Sequence, residues 1–482
     1  MNHVIIVDLG YGDSGKGSIA DWVCSPGGAG FAGGRPVQVV VRFNGGAQAA
    51  HNVVTTDGRH HTFAQFGSGT FTPGVRTHLS RFMLVDPLAL ATEAAHLASA
   101  GVGDALDRLT VDRDALLTTP YHRAANRARE LARGVTRHGS CGVGIGETAR
   151  YALEHPGDVP RVADCAAPQT LARSLRQLRD RLADELGPLE APPVADVCDA
   201  YRAFAERVVL VDGGYLGRLL RTGPVVFEGA QGVLLDEWRG FHPFTTWSTT
   251  TFANAETLLA EAGDTALRLG VVRCYLTRHG PGPFVTEDPT LEVPEPHNQH
   301  GAWQGAFRTG HFDAVALRYA VEVSGGVDAV ALTHLDAAER HPLRVCRSYQ
   351  IDGQRLGRII PGPERDLQWQ ERLTAMLLRA RPVYEHPGAD WPGLVEDALG
   401  TPVALTSYGP TAADKRAVAS ALPPPTPGPG SHYHPGKPGA DQFPIRFPYA
   451  GQRRGLARVV PNGGLDDQRC LATQVPRCGR LR

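Results

Sequence analysis

An apolar run, Val4-Ile5-Ile6-Val7, closes on Asp8 and enters a turn built on Gly10, Gly12, Gly15 and Gly17, after which Ile19, Ala20, Trp22 and Val23 take up helical spacing. A strand handing over to a helix through glycines is the layout of a phosphate-binding α/β core, and it leaves few folds open. The stretch Gly10-Tyr11-Gly12-Asp13-Ser14-Gly15-Lys16 fits the pattern G-x-x-x-x-G-K. Glycines let backbone N–H groups converge on phosphate oxygens at a helix amino terminus, and the lysine adds a point charge. Gly17 stands where that pattern usually carries Ser or Thr. The missing hydroxyl ordinarily ligates Mg²⁺, so the metal needs another donor, and the carboxylate of Asp13 is the nearest. The same carboxylate could serve as a proton acceptor.

Short β-branched runs recur at 37–43, 208–212, 225–228, 270–276, 329–333 and 403–406, with amphipathic helical patterns between several of them. This alternation predicts an α/β fold: a large, mostly parallel central sheet covered by helices, with a phosphate-loop core and helical insertions. The clearest helix carries Leu171, Leu175, Leu178, Leu182 and Leu186 on one stripe. After about residue 420 the composition changes. Residues 423–448 hold nine prolines, and 451–482 carry seven arginines against two aspartates. Proline at that density blocks ladders and helices alike, so the expectation is a catalytic domain over 1–420 and a disordered tail over 421–482, Pro/Gly-rich and then basic.

Charge narrows the partners. With 49 basic and 50 acidic side chains the formal net charge is −1, and no global positive field exists to hold nucleic acid or an anionic membrane. The longest apolar stretches fall far short of the ~20 residues that span a bilayer, which predicts neither a membrane anchor nor a secretory signal. Eight cysteines without a C-x-x-C pair fit neither a zinc site nor a disulfide framework, and a reducing cytoplasm is the natural setting. Only Lys16, Lys415 and Lys437 are lysines, against a strongly arginine-biased background. For Lys16 the loop supplies a chemical reason.

Further segments add to the loop. Gly12-Asp13-Ser14-Gly15-Lys16-Gly17 resembles the G-D-E-G-K-G of adenylosuccinate synthetases, and Val41-Arg42-Phe43-Asn44-Gly45-Gly46-Ala47-Gln48-Ala49-Ala50-His51 is similar to their V-R-Y-x-G-G-H-N-A-G-H. Gly142-Val143-Gly144-Ile145-Gly146 resembles G-R-G-I-G, and Phe227-Glu228-Gly229-Ala230-Gln231-Gly232-Val233-Leu234-Leu235-Asp236 matches F-E-G-A-Q-G-x-L-L-D. Thr277-Arg278 with Gly280-Pro281-Gly282-Pro283-Phe284, then Thr333-His334-Leu335-Asp336, then Ser407-Tyr408-Gly409-Pro410 follow in the same order. The collinear likeness covers roughly residues 4 to 415.

What the resemblance implies is a GTP- and Mg²⁺-dependent ligase that phosphorylates the 6-oxygen of inosine monophosphate or an analogue, then displaces phosphate with an amine. It implies Asp13 as base and metal ligand, His51 as donor near the oxygen and γ-phosphate, Lys16 on the phosphates, and the Ala50 carbonyl completing the metal site. GTP would lie on Gly12, Asp13, Ser14, Gly15, Lys16, Gly17, His334, Asp336, Ser407, Gly409 and Pro410. Asp336 can accept two hydrogen bonds from guanine that adenine does not offer in that arrangement. The acceptor nucleotide would meet Gln48, Ser140, Cys141, Gln231 and Thr246. A homodimer is implied too, with His155 nearest the position from which a basic residue reaches the other subunit.

The amine pocket departs from the pattern. Where the family reads G-A-T-T-G followed by four arginines, T-G, this chain has Gly301-Ala302-Trp303-Gln304-Gly305-Ala306-Phe307-Arg308-Thr309-Gly310. Arginines pair bidentately with carboxylates, so their loss removes attraction for a dicarboxylate donor. Trp303, Gln304 and Arg308 are the pocket residues, and Arg308 with Arg278 is expected to satisfy one carboxylate. Three readings follow: a diverged synthetase with the family's substrates, a paralogue in specialised nucleoside metabolism with another acceptor or amine, and a GTP-binding regulator without catalysis.

Overall fold

The computed structural model describes residues 3–418 apart from 135, 136, 138, 297 and 299–302, so the tail expected over 421–482 lies outside the described residues. A ten-stranded sheet organises the chain. Its strands are β1 (His3–Asp8), β2 (Val39–Arg42), β3 (Arg76–Leu79), β4 (Leu109–Asp112), β5 (Val209–Val211), β6 (Val225–Glu228), β7 (Ala266–Arg273), β8 (Ala329–Thr333), β9 (Val403–Ser407) and β10 (Lys415–Ala417). Their spatial order is β10-β9-β8-β7-β1-β6-β2-β3-β4-β5. Every neighbouring pair is parallel except β9 with β10, which is the mostly parallel sheet expected.

Side-chain alternation along β1 shows why the sheet is covered on both sides: Ile5 and Val7 join one buried cluster, Val4 and Ile6 another. A third core is helical. Between β4 and β5 the chain inserts helices Pro120–Arg133, Ile145–Glu154, Pro168–Leu186 and Val194–Arg207. The predicted leucine stripe seals that insertion, with Leu171, Leu175, Leu178 and Leu182 buried.

Two expectations shift. The run at 270–276 is not one strand: β7 begins at Ala266 and stops at Arg273, and Leu276–His279 pairs instead with Phe307–Gly310 in a separate two-stranded antiparallel sheet. The strands β3 and β4 have no counterpart among the predicted runs. Both bury polar residues, and His78 bonds Thr110 across them at 3.0 Å, so neither reads as a purely apolar stretch.

Because β1, β2, β6, β7, β8 and β9 all run the same way, their carboxyl ends lie along one edge. The segments that carry the motifs, 8–17, 43–51, 229–236, 274–279, 333–336 and 407–410, each leave one of those ends. Such an edge is where open α/β sheets bind ligands.

Candidate active site

Asp8, the last residue of β1, is fully buried and shapes the glycine loop around its carboxylate. It accepts from the N–H of Gly10 at 2.8 Å and of Ser14 at 2.9 Å, and from the Lys16 ammonium at 3.2 Å. The loop turns through left-handed backbone at Gly12, Asp13 and Gly15, and Gly15 caps the helix Lys16–Cys24. Gly232 lies against it so closely that a Cβ there would sit 2.3 Å from the Gly10 carbonyl oxygen, so the 228–236 segment and the loop form one wall.

Asp13 projects from this turn toward His279, whose Nε2 lies 3.1 Å from Oδ2. Burial opposes ionisation of Asp13, but the His279 hydrogen bond and charge, with Lys16 and Arg273 behind them, hold its pKa below the usual carboxylate value. Arg273, at the end of β7, donates to the Asp13 carbonyl at 3.1 Å and is itself paired with Glu295.

His51 begins the strand His51–Val54, and its Nδ1 lies 2.6 Å from Oε1 of Glu228, at the end of β6. Ser68 closes on the same carboxylate through its N–H, at 2.9 Å, and its hydroxyl. Burial would raise the Glu228 pKa, yet Arg42, His51 and Ser68 take it down to about 2. Burial, Arg42 and Lys16 together keep His51 below the ordinary imidazole value. The Glu228 bond therefore fixes a neutral ring with Nδ1–H donating and Nε2 turned elsewhere. Gly17 is explained here: a Cβ at that position would lie 2.6 Å from the His51 Cβ. His51 thus packs on the start of the helix, with Ala50 exposed just before it.

At the other side of the loop, Thr333 at the end of β8 donates to the Ser14 carbonyl at 2.7 Å, and His334, in left-handed conformation, turns the chain into the short helix Leu335–Arg340. Its half-buried ring comes within 3.7 Å of a Cβ placed on Gly15. Asp336 is part-exposed in that helix, 3.5 Å from Arg340. Ser407 donates to the Gly409 carbonyl at 3.1 Å, and Pro410 is exposed beyond it. The segments 333–336 and 407–410 leave neighbouring strands, which brings the expected base-binding residues together beside the loop.

The acceptor-side residues are arranged differently. Gln48 and Gln231 converge on Gly45, 3.3 and 3.2 Å from where its Cβ would stand. Both amide atoms of Gln48 and the Oε1 of Gln231 are buried without a hydrogen-bond partner. Thr246 is half-buried and bonds through its N–H to Leu235. Ser140 accepts from Asn126 at 2.9 Å, and burial raises the Cys141 thiol. Trp303 covers Gly142, whose absent side chain makes room for the indole, and Arg127 stacks over that indole while bonding the Gly142 carbonyl. Gln304 brings its carbonyl against Gly139 and Gly280.

The arginines expected to receive a carboxylate are both committed to the protein. Arg308 pairs with Glu287 at 2.8 Å and donates to the carbonyls of Gly280 and Gly282. Arg278 is almost fully buried over the Tyr11 ring and donates to the carbonyls of Pro281, Pro283 and Phe244.

Sequence reasoning passed over Asp8, Glu228, His279, Arg273 and Ser68. A carboxylate closing an apolar strand was a usable signal for Asp8 and Glu228, since a buried acid needs partners. Among the described residues no cluster of three His, Cys, Asp or Glu side chains could hold a metal ion. A Mg²⁺ carried by substrate phosphates needs no such cage: one carboxylate suffices with phosphate oxygens, a carbonyl and water, and Asp13 and Ala50 fit that hard-oxygen chemistry. No described helix is long and apolar enough to cross a membrane.

Comparison with known proteins yields a consistent pattern. The family model described as adenylosuccinate synthetase matches residues 5–414. The chain is 33% identical over 401 residues to the adenylosuccinate synthetase of Thermosynechococcus vestitus, covering 80% of this chain and 83% of that one. It is 34% identical over 414 residues to that of Mycobacterium bovis, covering 83% and 89%. Among solved structures, a fully ligated adenylosuccinate synthetase from Plasmodium falciparum superposes with a TM-score of 0.71 at 22% identity, covering 86% of this chain and all of the other. A cyanophage S-2L succinoaminodeoxyadenylate synthetase bound to dGMP and dATP superposes at 0.52 and 20% identity, covering 86% and 95%. These two likenesses concern the fold.

Proposed function

The chain belongs to the adenylosuccinate synthetase family of GTP-dependent ligases, and from that premise we propose that it activates the 6-oxo group of a purine-like monophosphate, inosine monophosphate or an analogue, for attack by an amine. One observation carries the reading: Asp13, Lys16 and His51 gather about one loop at the carboxyl edge of the sheet, Lys16 and His51 each held by a fully buried carboxylate and Asp13 by the half-buried His279.

In this reading Asp13 removes the proton from N1 of the acceptor base, which makes an otherwise poor oxygen nucleophile competent. Its lowered pKa keeps it ionised at neutral pH. Lys16 and the loop N–H groups hold the nucleotide phosphates, and His51, anchored through Nδ1 to Glu228, takes up a proton on Nε2 beside the anionic phosphates and donates from it to the transferring phosphoryl group. Asp13 and the Ala50 carbonyl would hold Mg²⁺, which when bound neutralises charge developing on the phosphoryl oxygens. Asp336, His334, Ser407, Gly409 and Pro410 receive the GTP base. Gln48, Gln231, Ser140, Cys141 and Thr246 receive the acceptor, where the unpartnered amide of Gln48 and the Oε1 of Gln231 await polar atoms of a ligand. Residues 1–420 form the catalytic domain in this reading, and the protein works as a cytoplasmic homodimer.

A second reading, a paralogue with another amine donor, is favoured by the commitment of Arg278 and Arg308 to the protein itself. Each charge-assisted bond withheld from a dicarboxylate costs about 1.5–3 kcal/mol. L-Aspartate should then show a Michaelis constant in roughly the millimolar range or above. A micromolar constant with ordinary turnover removes this second reading. The deciding experiment follows phosphate release with GTP and Mg²⁺ across purine monophosphates and amines. Release with no combination would leave a nucleotide-binding regulator in place of an enzyme.

A further inference from the structure

Lysine is scarce in this chain, and the phosphate chemistry of Lys16 leaves Lys415 without a role. Lys415 opens β10, opposite Ser407 across the antiparallel pair, and is only 7% exposed. Its ammonium donates to the Gly409 carbonyl at 3.0 Å, which uses one of its three N–H donors. Burial drives its pKa down to about 8, although Asp414, Asp21 and Asp336 all pull the other way. A cation so desolvated gains from any further acceptor.

The place where it sits is the base end of the site. Lys415 is close enough for its charge to reach both His334 and Asp336, and the glycine it bonds belongs to the 407–410 segment. His334 occupies the position of the family's lysine, but its Nδ1 is bonded to Thr333 and its ring is held neutral by burial, Arg273 and Lys415. The ammonium nearest this end of the site comes instead from β10.

We propose that Lys415 donates to the 6-oxo group of the GTP base, so that base selection is divided between Asp336 on the N1 and 2-amino edge and Lys415 on O6. This rests on the reading of the site as a GTP site. An adenine would set its 6-amino donor against the Lys415 donor, with both left desolvated.

Calorimetric titration of the full chain with GTP, 6-thio-GTP and ATP tests the assignment, because 6-thio-GTP changes only the atom in question. The unmodified protein should prefer GTP over both. Lys415→Met should weaken GTP about 10- to 100-fold while barely changing 6-thio-GTP, which erases the preference for oxygen. Lys415→Gln, which keeps a neutral donor, should retain part of that preference and serves if the Met variant does not fold. Equal losses for GTP and 6-thio-GTP in either variant would show that Lys415 only supports the 407–410 loop and would overturn the proposal. Unchanged GTP affinity would do the same. If the unmodified protein binds no GTP, the parent reading fails first, and visibly so.

Discussion

The two halves of the site hold their functional groups differently, ion pairs on one side and carboxamides on the other. On the phosphate side, Asp8 gathers the loop N–H groups and Lys16, and Glu228 gathers His51 and Ser68, so the machinery is held before any substrate arrives. On the acceptor side, both amide atoms of Gln48 and the Oε1 of Gln231 are buried with nothing to bond. The contrast appears within one short segment. Glu228 is ionised down to about pH 2 among cationic and hydroxyl partners, whereas burial raises Glu237, which has the Thr249 hydroxyl at 2.7 Å, to about 7. Buried ion pairs thus preorganise the side that handles phosphate, where the Ser14 hydroxyl is the loop atom left without a partner, and the acceptor side keeps carboxamide atoms free for a ligand.

Substitutions should separate the two sides. Asp13→Ala is expected to lower turnover by about 10²–10⁴-fold with unfolding unchanged, read by phosphate release and by denaturant titration. Turnover that survives would dissolve the distinction between a catalytic and a merely structured loop. Asp8→Ala strands a buried Lys16 ammonium and should destabilise the protein by about 3–5 kcal/mol in urea unfolding. Gln48→Leu, by contrast, removes amide atoms that have no partner in the protein, so stability should change by no more than about 0.5 kcal/mol while the acceptor's Michaelis constant rises roughly tenfold. If it destabilises as Asp8→Ala does, the acceptor side is as tightly knit as the phosphate side.

The smallest effect concerns pH. Glu237 has a folded pKa raised from 4.5 to about 7, so its contribution to stability is fully present below 4.5 and is lost as pH rises to about 7. Glu237→Gln should flatten part of the fall in unfolding free energy across that window, leaving the slope due to Asp21 and Asp313, which burial raises to about 7 and about 6, and to Asp112 and Asp236, which it also raises. Glu228 behaves oppositely, adding stability above its unfolded value that disappears only as pH falls toward about 2.

The legible parts of this molecule were those where function repeats as local pattern. The strand at 225–228 and that at 329–333 were read to the residue, and the loop with Asp13 and Lys16 announces itself through glycine spacing. His51 was legible only through its motif. What escaped is made by distance along the chain. Glu228 meets His51 across 177 residues, and Arg273 meets the Asp13 carbonyl across 260. Asp8 registered as an interruption of an apolar run, because its partners exist only once the loop has wrapped around it. The commitment of Arg278 and Arg308 was likewise invisible, since carbonyl acceptors leave no mark in a sequence.

Gly17 closes a door as well as fitting a gap. Restoring the hydroxyl usual at that position would drive a Cβ to within 2.6 Å of the His51 Cβ and 3.0 Å of the Ser68 hydroxyl, disturbing the Glu228 contacts at once. A metal-binding hydroxyl at this position and a histidine packed on the helix start therefore compete for the same space, and the loop that seats His51 must leave its metal to the Asp13 carboxylate.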